Sequence, residues 1–142
     1  MATASIKALK SAVISGLQAR PGLDGVVVSW GFPTADPGPL WIRVGDVTGE
    51  QEAVVMGGQR RDEEYRLEVD VLVRGDLADD PEALAAKAFA LAGEVELLLR
   101  EDASLGLVVR EAQIVEDGLI ETTEGSTRAT LVPVVIRARK RI

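Results

Sequence analysis

RDEEYRLEVDVLVRGDLADDPEALAAKAFALAGEVELLLR, residues 61–100, decides the fold. Its first half alternates: Tyr65, Leu67, Val69, Val71 and Val73 fall on one side, and Glu64, Arg66, Glu68, Asp70 and Arg74 on the other, with Leu72 the one exception. A period of two over that length is a half-buried β-strand. Gly75 and Asp76 leave the strand, and Asp80 directly before Pro81 supplies a capping carboxylate and a first-turn proline whose missing N–H costs nothing there. The spacing predicts a helix from that point, with Leu84, Ala88, Leu91, Val95, Leu98 and Leu99 recurring every three or four residues. One stripe of this helix therefore lies across the apolar side of the strand.

Upstream, Ile6, Leu9, Val13 and Leu17 make a second helical stripe with Ile14 beside it, capped by Thr3 or Ser5 and stopped at Pro21-Gly22. Val26 to Trp30 and Leu40 to Val44 read as short strands. Between them Pro33, Pro37 and Pro39 forbid both helix and central strand, so Gly31 to Pro39 is a surface loop. Gly45 to Gly58 reads as an extended excursion, with a possible strand from Glu52 to Met56. Downstream, Asp102 to Gly106 is a turn, Leu107 to Val115 is β-rich, and Asp117-Gly118 is a hairpin signal. A last strand runs from Thr127 to Arg137; Pro133 has no N–H for a ladder, which predicts an edge strand or one paired on a single side at that point. The order predicts an α+β fold: a single mixed, mainly antiparallel β-sheet with two α-helices packed on one face, in one domain over residues 1–142.

The composition, 46% hydrophobic and 27% charged, is that of a globular protein. No run approaches the roughly 20 apolar residues of a membrane helix, and the N-terminus has no apolar stretch behind its charge, so a cytoplasmic, non-secreted chain is the expectation. With no Cys and no His, nucleophile systems built on Ser-His-Asp or Cys-His are excluded, as are zinc sites built on thiolate or imidazole. The net charge of −7 argues against wrapping nucleic acid or binding anionic membranes. Acid is concentrated at 62–64, 76–82, 94–102 and 116–124, whereas Arg137, Arg139, Lys140 and Arg141 make the C-terminus basic. That asymmetry suits self-assembly through patches of opposite sign.

Phosphate-cradling loops and nucleophile elbows have no match in the sequence. Asp76, Asp79, Asp80 and Glu82 lack calcium-loop spacing and are better read as helix capping. Glu68 and Asp70, two apart on a strand, are better placed for a cross-strand or inter-subunit ion-pair surface than for an acid/base dyad. Trp30, Phe32 and Trp41 flank the proline loop and either pack the end of the sheet or anchor a partner. They do not interleave with basic residues, so base stacking is not expected. No cofactor, metal or catalytic residue is indicated.

The N-terminal amphipathic helix, the strand from Arg61 to Val69, the acidic helix opened by Pro81 and its exit through Val95-Glu96-Leu97-Leu98-Leu99-Arg100 to Val108 together resemble the tail terminator (tail completion) proteins of long-tailed bacteriophages and phage-like particles. The final strand, entered through Glu124 to Ala129 and ending in basic residues, is similar to the same pattern. The resemblance implies a non-enzymatic virion protein assembled in the host cytoplasm and sited at the neck of the tail. It implies a ring, usually hexameric in that family, which ends the tail tube and meets the head connector or stopper protein, with DNA passing through its channel without specific binding. The partners implied are other copies of the chain, the tail tube protein and the connector. Phe32, Trp41, Arg60, Arg61, Arg74, Arg137, Arg139, Lys140 and Arg141 are the candidate interface residues. A neighbouring neck or head-completion component is the nearest alternative; a small carboxylate-dependent enzyme or a cytosolic adaptor are the readings from other classes.

Overall fold

The structure, a computed structural model, describes residues 2–33, 35–53, 61–106 and 108–141. Helix α1 spans Ala2–Gln18 and a short 3-10 turn spans Pro21–Leu23. Strands β1 (Val27–Trp30), β2 (Leu40–Ala53) and β3 (Arg61–Asp76) follow, then helix α2 (Pro81–Glu101) and strands β4 (Glu111–Asp117), β5 (Ile120–Glu124) and β6 (Thr127–Arg141). The sheet order is β1-β2-β3-β6-β4, with β5 also paired to β6. β1 runs parallel to β2 and all other pairs are antiparallel. Both helices pack on one side of this sheet, so the chain has the α+β architecture read from its sequence. Among the described residues no helix is long and apolar enough to cross a membrane.

β3 is the centre of the sheet, and its apolar side, Tyr65 to Val73, is 0–2% exposed. Leu9, Val13 and Leu17 of α1 and Ala88, Leu91, Val95 and Leu99 of α2 cover it, joined by Ile42 and Val44 of β2 and Val132, Val134 and Ile136 of β6. α2 begins where the sequence placed it: the Asp80 carboxylate accepts from the Glu82 N–H at 3.2 Å, with Pro81 in the first turn. Its end is fixed by Asp102, whose carboxylate accepts from the Ser104 N–H, the Ser104 hydroxyl and the Gly106 N–H. The Ser104 hydroxyl first, then the Gly106 N–H, hold the Asp102 carboxyl below the usual carboxylate range.

Several boundaries differ from the sequence reading, each for a physical reason. α1 starts at Ala2, upstream of both Thr3 and Ser5, so neither is its cap. The excursion after Val44 is mostly strand: β2 continues to Ala53, with a register shift between Val44 and Val47 that absorbs Gly45 and Asp46 as a bulge. Residues 54–56 of the possible strand at Glu52 to Met56 lie outside the described residues. β4 starts at Glu111 because the Asp102 turn carries the chain on to Val109, whose N–H bonds the Ser104 carbonyl. The chain does not reverse at Asp117-Gly118. β4 and β5 instead lie end to end along β6, interrupted opposite Pro133, the residue with no N–H to give, and the reversal comes at the two-residue turn Gly125-Ser126. β6 is therefore an internal strand that is paired on one side only at Pro133, where Asp70 of β3 stands opposite. It also extends past Arg137 to Arg141, its backbone in register with Glu64, Glu63 and Asp62 of β3.

Candidate functional site

The helices cover one side of the sheet and leave the other open. Alternation assigns Trp41 and Arg43 of β2, Glu64 to Arg74 at even positions of β3, and Ala129 to Arg139 at odd positions of β6 to the open side. Most of what stands there is paired charge. Arg43 binds Asp70 and Arg66 binds Glu116, each by a side-chain hydrogen bond. Arg137 lies 3.7 Å from Glu64 and Arg139 3.8 Å from Glu111. The Asp70 carboxylate thus belongs to a cross-strand ion pair, as its spacing from Glu68 suggested.

Through these charges runs one apolar row. Val27 is the register partner of Trp41, Trp41 of Leu72, Leu72 of Leu131, and Leu131 of Ile120. The row crosses five strands from one edge of the sheet to the other. Its end members Val27 and Ile120 are 39% and 49% exposed. Leu72, the exception in the polar half of β3, is its midpoint.

The proline loop is tied to the same side. The Trp41 indole N–H donates to the Ser29 hydroxyl at 2.7 Å, and that hydroxyl donates in turn to the Gly31 carbonyl at 2.6 Å. Gly31 has φ +67°, a left-handed turn that a side chain would strain. The turn projects Phe32, 78% exposed, with its ring centroid 6.1 Å from that of Trp41 and the Arg43 guanidinium 5.0 Å from it. At the far end Arg74 donates to the Gly38 carbonyl at 2.7 Å and pairs with Asp36. The Gly38 N–H, and after it Arg74, keep the Asp36 carboxyl below the usual carboxylate range.

The predicted interface residues are therefore only partly a group. Phe32, Trp41 and Arg74 converge at one end of the open side, and Arg137 and Arg139 stand at the other. Arg74 holds the loop, and the two β6 arginines are interleaved with carboxylates rather than forming an open basic patch. Lys140 lies on the helix side of the sheet, in register with Glu63. Arg61 and Arg141 occupy strand positions, and Arg60 lies outside the described residues. Trp30 is on the helix side with the Lys10 ammonium 4.5 Å from its ring centroid. Burial pushes the Lys10 ammonium below the usual lysine value, with Asp46 opposing and Arg43 adding to the shift. Aromatic and basic side chains thus do meet here, through tertiary contacts that no sequence neighbourhood could display. Val27, Ile120 and Leu131 were not legible as site residues, because only the register unites them.

Among the described residues no group of three or more acidic side chains is arranged to hold a metal ion. A groove of about 300 Å³ between α2 and the β4–β6 strands is lined by Phe89, Ala92, Gly93 and Ile114, with Glu96 and Asp117 its acids.

These features define a class: a helix-backed α+β sheet with one side free. No protein-family model matches the sequence, and no curated protein matches it. In fold the chain is similar to a chain from the virion of a native gene transfer agent particle, at 19% identity and a TM-score of 0.67, with 96% of each chain covered. It is similar also to a second solved chain that carries no descriptive name, at 16% identity and a TM-score of 0.50, covering 97% of this chain and 96% of that one. At these identities the likeness is one of fold.

Proposed function

We propose that this chain is a structural protein of a phage-like particle, folding as a single domain over residues 1–142, and that its work is assembly rather than catalysis. The observation that carries the reading is the nearly end-to-end match in fold to a chain of a gene transfer agent virion. Within such a particle we assign it the role of tail terminator: copies form a closed ring, with six the expected number, at the neck of the tail. A tube of stacked rings exposes the same adhesive surface after every addition. Growth stops only when a subunit fits that surface below and presents a different one above. A sheet with one helix-covered side and one free side, plus a loop pinned by Arg74, supplies unlike surfaces from one rigid core. The tail tube protein and the head connector are its partners, and DNA crosses the ring without being held, since a net charge of −7 per copy repels phosphate.

An early stop codon in the gene, with the lysate viewed by electron microscopy, tests the role. Overlong or unattached tubes beside filled heads are expected. Tails of normal length joined to heads would exclude it.

A further inference from the structure

The two edges of the sheet match each other. At one edge lies β1, at the other β5 continuing β4, and among the described residues neither edge has a strand paired on its outer side. β1 and β2 run one way, β3 the reverse, β6 with β2, and β5 against β6. A second copy set beside the first in the same orientation therefore brings β5 against β1 antiparallel, the better ladder.

Side chains on both sides of the sheet agree with that pairing. On the open side the apolar row ends at Val27 on β1 and at Ile120 on β5, both exposed. On the helix side, Asp117 and Glu121 lie along the β4–β5 edge, in register with Val134 and Thr130. They form no ion pair among the described residues. Near the β1 edge stands Lys10 of α1, 9% exposed, with its ammonium 4.5 Å from the Trp30 ring centroid. Asp24 precedes β1 in the chain, and Asp46 of β2 lies close enough to act electrostatically on Lys10.

We infer that copies of this chain join edge to edge, the β4–β5 edge of one pairing antiparallel with β1 of the next from Asp117 opposite Trp30 to Ile120 opposite Val27, so that the apolar row runs unbroken around the assembly. This is a head-to-tail contact, which closes when the rotation between copies permits. It rests on the ring reading above and names the surface that makes the ring.

The chain has no cysteine, so a Val27→Cys/Ile120→Cys variant carries thiols at these two positions alone. Both sites are exposed, and directly opposed strand residues have Cβ atoms about 4.5–5.5 Å apart, within the span of a short bifunctional maleimide. In purified particles the double variant is expected to cross-link into a ladder of multimers on a denaturing gel, and each single variant to remain one band. Particles that contain the chain but give no ladder overturn the edge pairing alone. So do multimers from either single variant, which would mean like edges meet. Particles that lack the chain overturn the virion reading and the pairing with it. Separately, Ile120→Asp places a charge on an edge already acidic, and its incorporation into particles is expected to fall about tenfold or more, with its melting temperature unchanged. Undiminished incorporation contradicts the inference.

Discussion

Leu72 and Leu131 stand directly across from each other on β3 and β6, on the side of the sheet that no helix covers. β3 otherwise shows that side only carboxylates and arginines, so a leucine there has no part in the core. Leu72→Gln is expected to lower stability by about 1 kcal/mol, a fraction of the 1.5–3 kcal/mol for a fully buried leucine, while abolishing incorporation into particles. Thermal unfolding and particle composition, measured on the same variant, separate the two effects.

Its neighbour behaves in the opposite way. Val71 is 0% exposed under the helices, and Val71→Asp places an unpaired carboxylate in that core at a cost of several kcal/mol against a total of about 5–15. Loss of the cooperative unfolding transition in circular dichroism is expected. A melting temperature equal to that of the parent would contradict the assignment of sides.

Gly49 is the register partner of Tyr65, and a Cβ added to it would stand 2.8 Å from the Tyr65 ring. That ring is 1% exposed and has no room to yield. Gly49→Ala is expected to destabilise by about 1–3 kcal/mol. Gly93 in α2 has nothing within 4 Å of the same added atom, so Gly93→Ala is expected to stabilise by about 0.5–1 kcal/mol. Denaturant titration of the pair should give shifts of opposite sign.

The end of α1 is fastened to α2 by Arg20, which donates to Glu101 at 2.8 Å and lies 3.4 Å from Glu94. The Arg20 hydrogen bond, with its charge behind it, holds the Glu101 carboxyl below the usual carboxylate range. A depressed carboxyl contributes stability that is present in full above its unfolded-state value and is lost as pH falls through its folded-state value. The melting temperature of the parent should therefore fall more steeply on acidification through and below the carboxylate range than that of Glu101→Gln. Asp36 and Asp102 also have depressed carboxyls and are unchanged in the variant, so the difference between the two curves isolates Glu101. Parallel curves would count against the contact. Glu101 is mostly exposed, and the effect is correspondingly small.

What the sequence displays and what it hides divide along a physical line. β3 and α2 were legible because each carries its own signal: strict alternation in one, and a cap, a first-turn proline and a periodic stripe in the other. β2 was read too short because Gly45 and Gly49 interrupt its pattern, and the bulge after Val44 resets which residues face inward. β5 was missed altogether. All five of its residues are exposed, so no burial pattern exists to be seen, and only its pairing with β6 makes it a strand. The interface residues were chosen by type, as aromatics and arginines. That choice took in Phe32 and Trp41, which the fold sets side by side, but could not anticipate that Arg137 and Arg139 would be paired with carboxylates. The apolar row from Val27 to Ile120 draws single residues from five strands, and Leu72 was its only trace in the linear sequence.

The central claim is that this chain forms the ring that ends the tail of a phage-like particle. A cryo-electron microscopy map of the neck of purified particles tests it most directly. The expected result is one closed ring of this chain between the last ring of the tail tube and the head connector, with an acidic channel. A map that placed the chain elsewhere in the particle, or at the neck as a monomer or an isologous dimer, would contradict it.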